Sequence, residues 1–326
     1  MKSKNFATRV VAGWLFMLSI PGGLPAQEAA QQTRRGLELM SQGRYQEAEE
    51  FLRHALEIAG PADPNATYNL ASLYHRMGRF PEAERLHQRA LEQIERTRGP
   101  FDPEAAQSLN DLGALYRSLG RYSRSIAVLE RSIAILDRNP PQKFASTVFN
   151  NLGNAYLDIG HYGKADAAVR RGLAAAESGL YEDASDLGFI QASLGRVYFL
   201  RKQFGDAETA YRNAASVIAD TLGSQHPEYG LALTNIALVY ERQRRYGEAL
   251  PLLESAIDIL ERSSGRESPM LTNTLYCYSE VMKGLGRKSE ARQIERRAKS
   301  LVRPDAGTID VEVLRGRHRQ SNSPHP

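Results

Sequence analysis

Leu231–Leu260, LALTNIALVYERQRRYGEALPLLESAIDIL, decides the fold, because relatives of this stretch recur along nearly the whole chain of 326 residues. Leu233, Ile236, Ala237 and Tyr240 recur at helical spacing, and a second stripe runs through Ala249, Leu252, Leu253, Ala256 and Leu260 after Arg244-Arg245-Tyr246. The stretch therefore predicts two amphipathic helices joined by a tight turn. Two such helices alone leave much apolar surface in water, so they need neighbours of the same kind.

The aromatic that opens the second helix marks the repeat: Tyr45, Phe80, Tyr122, Tyr162, Phe204 and Tyr246, with Lys288 in the last place. The spacings are 35, 42, 40, 42, 42 and 42, a period that indicates stacked modules. Three positions per repeat are small. They are Gly36, Ala71, Gly113, Gly153, Gly195, Ala237 and Ser279 before the mark, then Ala48, Ala83, Ser125, Ala165, Ala207, Ala249 and Ala291, then Ala55, Ala90, Ser132, Gly172, Ala214, Ala256 and Ala298. Helices cross closely only where no bulky group intervenes, so these are expected contact points between helices. Six residues before the mark, Leu39, Tyr74, Tyr116, Tyr156, Tyr198, Tyr240 and Met282 supply a large group.

This pattern resembles the tetratricopeptide repeat. The period near 42 and the segments Leu109-Asn110-Asp111-Leu112-Gly113, Phe149-Asn150-Asn151-Leu152-Gly153 and His226-Pro227 are similar to its longer, kinesin-light-chain-like form, over about Arg34 to Leu301. The resemblance implies an all-α fold, seven helix pairs wound into a right-handed solenoid. Lys202 and Arg244 depart from the pattern, standing where other turns have Gly43, Gly78, Gly120, Gly160 and Gly286. A left-handed non-glycine residue costs on the order of 1 kcal/mol, so those two turns are expected to take another geometry.

The expected domain layout is a signal at 1–26, a solenoid at 27–301 and a tail at 302–326. The repeats fall at about 29–60, 63–99, 102–138, 140–178, 183–223, 226–265 and 268–301. Lys2, Lys4 and Arg9, the apolar run Val10–Ile20 and Leu24-Pro25-Ala26 have the order of a secretory signal, with cleavage expected after Ala26 and an uncleaved anchor as the alternative. The run is 11 residues, short of the ~20 that span a bilayer, so no stable membrane span is expected after cleavage. Export to a periplasm or the exterior follows as an expectation. Gln27–Gln32 reads as a polar lead into a short first helix, and Thr308–Val313 in the tail as an extended segment.

The formal net charge is +4, from 42 Lys+Arg and 38 Asp+Glu. Without the signal the balance is 39 against 38, and no clustered basic face points to nucleic acid. Cys277 is the only cysteine, so no intrachain disulfide is possible, and a small buried or wall-lining residue is expected there. Asp63-Pro64, Asp102-Pro103, His226-Pro227 and Ser268-Pro269 read as helix starts, and Asn139-Pro140-Pro141 as another.

No metal box, phosphate loop or nucleophile elbow is present, and Gly284-Leu285-Gly286-Arg287-Lys288-Ser289 has the wrong spacing for a phosphate loop. No cofactor and no enzymatic activity are expected. In the repeat that the chain resembles, the first helix of each pair lines a concave groove. Carried onto this chain, that implies a peptide-binding wall of Asn69, Arg76, Asn110, Arg117, Asn150, Asn151, Asn154, Arg196, Phe199, Leu200, Asn235 and Arg242, with Tyr68, His75, Asp111, Asp158 and Glu241 beside them. Asparagine carries donor and acceptor on one short stem and suits an extended peptide backbone, while arginine grips carboxylates. Phe189, Phe199, Leu200, Leu157, Leu231 and Leu238 form either an apolar anchor on that wall or core between repeats. The expected role is a non-enzymatic scaffold for a protein or peptide partner. Alternatives are a helical accessory or catalytic domain of a cell-envelope hydrolase, which would need a poised carboxylate, and a scaffold that self-associates through its end repeats.

Overall fold

Small residues at fixed offsets dictate the packing, and the structure, a computed structural model describing residues 24–301, shows how. Every regular element among the described residues is a helix. Up to Ser193 one compact body contains α1 (Leu24–Ser41), α2 (Tyr45–Ala59), α3 (Pro64–Arg76), α4 (Phe80–Arg98), α5 (Pro103–Ser118), α6 (Tyr122–Leu136), α7 (Ala145–Asp158), α8 (Tyr162–Glu177) and the start of α9 (Asp186–Leu200). From Leu194 a second body contains the rest of α9, α10 (Phe204–Thr221), α11 (Pro227–Arg242), α12 (Tyr246–Ser264), α13 (Leu271–Gly284) and α14 (Lys288–Ser300). The fold is thus all-α, built from seven helix pairs.

Within a pair the second helix drives one side chain into the small position of the first. A Cβ on Gly113 would lie 2.5 Å from Leu129, and one on Gly153 would lie 2.4 Å from Val169. Leu52, Leu129 and Leu253 fill the same place in their pairs and are fully buried. The other two small columns are closed: Ala48, Ala83, Ser125, Ala165, Ala207, Ala249 and Ala291 have no exposed surface, and Ala55, Ala90, Ser132, Gly172, Ala214, Ala256 and Ala298 are buried. Where serine replaces alanine its hydroxyl finds a helix carbonyl. Ser125 Oγ donates to Gly113 O and Ser132 Oγ to Ala106 O, both at 2.7 Å.

Tyrosine six residues before the mark ties one repeat to the previous one. Tyr74 Oη donates to Glu49 at 2.9 Å and accepts from Arg53, while the Arg79 guanidinium stacks 4.0 Å over the ring and binds Glu49 at 2.9 Å. In the second body Tyr240 Oη donates to Glu208 at 2.7 Å, and Arg245 stacks 4.0 Å over its ring and binds Glu208 at 3.0 Å. The signal was present in sequence as Arg79 and Arg245 just before the mark and Glu49, Glu84 and Glu208 four after it. Only the folded chain places those outward charges against the tyrosine.

Several local expectations change. Lys202 and Arg244 keep the left-handed turn, with φ of 61° and 60°. The physical reason is the backbone bonding that closes each turn: Gln203 N donates to Tyr198 O and Arg245 N to Tyr240 O, as Arg79 N does to Tyr74 O. Those bonds require the left-handed residue whatever its side chain. Asp63, Asp102 and His226 cap α3, α5 and α11 ahead of proline, each accepting from a first-turn N–H. Pro140-Pro141, however, precede α7 by several residues, and α13 opens at Leu271 instead of Pro269. The expected polar lead, Gln27–Gln32, lies inside α1, which is 18 residues long. Residues 1–23 of the expected 1–26 signal and the 302–326 tail lie outside the described residues, and residues 24–26 lie in α1.

Candidate functional site

The polar residues of the first helices are where a partner could be read, so their geometry matters. In the first body α3, α5 and α7 lie side by side and their amides meet. Asn151 Nδ2 donates to Asn110 Oδ1 at 2.9 Å, Asn110 Nδ2 donates to Asp111 Oδ1 at 3.3 Å, and the Tyr68 hydroxyl donates to the other oxygen of Asp111. Further along, Asn154 Nδ2 donates to Ser193 Oγ at 3.0 Å and to Asn150 Oδ1 at 3.4 Å. Arg117 Nε donates to Asp158 Oδ2 at 2.7 Å. The asparagines therefore stitch neighbouring helices together. Asn69 and Asn110 are buried, whereas Asn150, Asn151 and Asn154 are half-exposed and Arg76 is exposed.

Burial shapes the charge of this wall. It pushes the Asp111 carboxyl up to about 6, against the opposing pull of the Tyr68 and Asn110 hydrogen bonds and the Arg76 charge. The Tyr68 hydroxyl rises too, through burial first and the Asp111 charge second. Glu182, on the connection between α8 and α9, is raised by burial of its carboxyl and then by the charges of Asp111 and Asp186. Sequence alone gave no reason to couple Glu182 to the charge of Asp111, 71 residues away.

In the second body Phe199 packs edge-on to Phe204, with ring centroids 5.8 Å apart, and the Arg242 guanidinium sits 5.8 Å from the Phe199 centroid. Arg242 also pairs with Glu241 at 3.4 Å. Arg196, Phe199, Leu200, Asn235, Leu231 and Leu238 are half-buried, and Phe189 is half-buried in the first body. Leu157 is core at 2% exposure and adds nothing to an apolar anchor. Phe199 and Leu200 are thus neither sealed core nor an open apolar patch.

Among the described residues no group of His, Cys, Asp and Glu is arranged to hold a metal ion, and no helix is long and apolar enough to cross a membrane. Cys277 is buried, and burial pushes its thiol well above the ordinary range, so the reactive thiolate is scarce at neutral pH.

Comparison with known proteins matches this geometry. Tetratricopeptide repeat models match residues 63–138, 187–262 and 230–303, together more than half the chain, and also 30–59 and 146–178. No curated protein matches the chain. Among solved structures, the apo form of RapI is similar at a TM-score of 0.65 and 15% identity, covering 84% of this chain and 97% of that one. A Rap protein complexed with Competence and Sporulation Factor gives 0.61 and 12%, covering 91% and 90%. The nearly identical repeats of a putative kinesin light chain from Podosopora anserina give 0.51 and 20%, covering 61% and 95%. At these identities the likeness is one of fold.

Proposed function

The chain belongs to the tetratricopeptide repeat family, and on that premise we propose that it is a non-enzymatic interaction scaffold whose first helices bind a peptide or protein segment. The observation that carries this reading is the stitched amide wall of α3, α5 and α7. Its amides are held in place by one another and still have unused valences at Asn150, Asn151 and Asn154. A wall whose side chains are already ordered loses little entropy on binding. Arg76, Arg196, Asn235 and Arg242 supply charge and amide contacts, and Phe199 with Leu200 supplies an apolar edge. Support by analogy comes from the Rap protein crystallised with Competence and Sporulation Factor, which has a similar fold.

We further propose, from the basic, apolar and small-residue order of residues 1–26, that the protein is exported and begins at Gln27 after cleavage at Ala26. Edman sequencing of the protein recovered from the envelope fraction tests that: Gln27 first supports it, and an intact Met1 overturns it. For the binding role, the purified chain is used to capture partners from an envelope extract. An Asn150→Ala/Asn151→Ala chain and a Phe199→Ser/Leu200→Ser chain, each checked for native helicity, are run beside it. Selective retention that falls in either variant supports the wall as the docking face. Equal retention by all three chains rules it out.

A further inference from the structure

Glycine takes the left-handed place in most turns within helix pairs, at Gly43, Gly78, Gly120, Gly160 and Gly286. Lys202 and Arg244 hold the same place and conformation in two consecutive turns of the second body, with φ of 61° and 60°. A side chain there is strained where glycine is not, and such strain persists where function uses the side chain. Both exceptions are cations, and both are exposed. In the next turn Gly286 returns, but Lys288, two residues on, stands exposed where the other repeats have an aromatic.

Packing lines these cations up. The Arg242 guanidinium of α11 sits 5.8 Å from the Phe199 ring near the end of α9, and Thr234 and Thr274 share a hydrogen bond at 2.9 Å across α11 and α13. The first helices therefore run side by side, and the turns that end them, 201–203, 243–245 and 285–287, form one rim. Carboxylates on that rim are already held. Arg245 binds Glu248 at 2.7 Å, Arg287 binds Glu290 at 2.6 Å, Arg242 binds Glu241 at 3.4 Å, and Gln203 donates to Asp206 at 3.4 Å. No ion pair or side-chain hydrogen bond engages Lys202, Arg244 or Lys288 among the described residues. They stand 42 and 44 residues apart in sequence, so no basic run announces them.

We propose that this rim of the second body is a contact surface for an anionic phospholipid bilayer, held by charge and without a pocket. The turn N–H groups are spent inside the turns. Lys202 N donates to Phe199 O and Gln203 N to Tyr198 O, both at 2.9 Å, while Arg244 N donates to Glu241 O at 2.9 Å and Arg245 N to Tyr240 O at 2.8 Å. An extended peptide or a single phosphate would need such donors. Long cationic side chains at successive turn tips suit a flat field of negative headgroups, which requires no fixed partner atom. The rim lies outside the amide wall of the first body, and it stands whether or not a partner docks there.

Each Lys or Arg near an anionic bilayer strengthens binding by about fivefold, and the field is felt within a Debye length, about 10 Å in 0.1 M salt and about 3 Å in 1 M. The full chain is mixed with vesicles of phosphatidylcholine alone or of phosphatidylcholine with phosphatidylglycerol, and bound protein is measured by sedimentation. Neutral vesicles report whatever the apolar run Val10–Ile20 contributes, so the readout is the ratio of the two partition coefficients. The wild type should favour anionic vesicles in 0.1 M salt and lose that preference in 1 M. Lys202→Gly/Arg244→Gly should lower the ratio by about thirtyfold. That chain should melt no lower than the wild type, because glycine relieves both turns, so a loss of binding is not a loss of fold. Arg96→Ser/Lys143→Ser removes the same charge from exposed residues of the first body and should leave the ratio unchanged. An unchanged ratio in Lys202→Gly/Arg244→Gly, or an equal fall in Arg96→Ser/Lys143→Ser, overturns the rim. A wild type without preference for anionic vesicles overturns the bilayer, and its retention on poly-glutamate would then point to an acidic polypeptide.

Discussion

His87 makes the first body sensitive to acid. It stands seven residues after Phe80, the place that Leu52, Leu129 and Leu253 fill in their own repeats, and it is fully buried. Neither ring nitrogen has a hydrogen-bond partner, and the ring packs edge-on to Tyr68 with centroids 5.6 Å apart. Burial first, and the nearby His75 second, push its pKa from 6.5 down to about 3. The folded chain therefore refuses a proton that the unfolded chain accepts. Stability is fully present above the unfolded value of 6.5 and is lost as pH falls toward 3. Linkage over that interval gives about 2 kcal/mol lost between pH 7 and pH 5, and a limit of about 5 kcal/mol below pH 3.

His87→Leu places in this core position the residue that three sister repeats already use, so it should be at least as stable as the wild type at pH 7. The assay is urea unfolding followed by helical circular dichroism, with exchange of the α3 and α4 amides locating the change. All carboxylates titrate in both proteins, so the difference between them isolates the histidine. Between pH 7 and 5 the wild type should lose about 2 kcal/mol more than the variant. Parallel pH profiles for the two chains would refute the reasoning.

Gly153→Ala puts a methyl 2.4 Å from Val169 Cγ2 and should cost about 1–3 kcal/mol in thermal unfolding. Val169→Ala in the same chain should return part of it, and additive losses would exclude the clash. Arg244→Gly relieves a left-handed residue at φ 60° and should raise stability by about 1 kcal/mol; a loss would mean the turn is not strained. Tyr240→Phe removes the hydroxyl that joins Glu208, with an expected cost of about 1–2 kcal/mol, and a cycle with Glu208→Gln should show coupling. No coupling would make that clasp ornamental.

Period and small-residue columns settle the all-α paired architecture from sequence, because each column is a place where two backbones must approach and chemistry there is limited to glycine, alanine and serine. Asp63, Asp102 and His226 before proline mark their helices for an equally local reason. The candidate wall came from the family resemblance, which assigns the first helices to an inner wall; helical spacing adds only that Asn151 and Asn154 lie three apart on α7. Its bonding was legible in neither, because Asn151 meets Asn110 and Asn154 meets Ser193 only across neighbouring repeats, about 40 residues apart in sequence. The left-handed turns at Lys202 and Arg244 were decided by backbone bonds that override side-chain preference. Tertiary structure alone buried His87 against Tyr68 and set Asn151 against Asn110, because burial and contact depend on what the folded chain brings near, and one residue's neighbours in sequence do not record that.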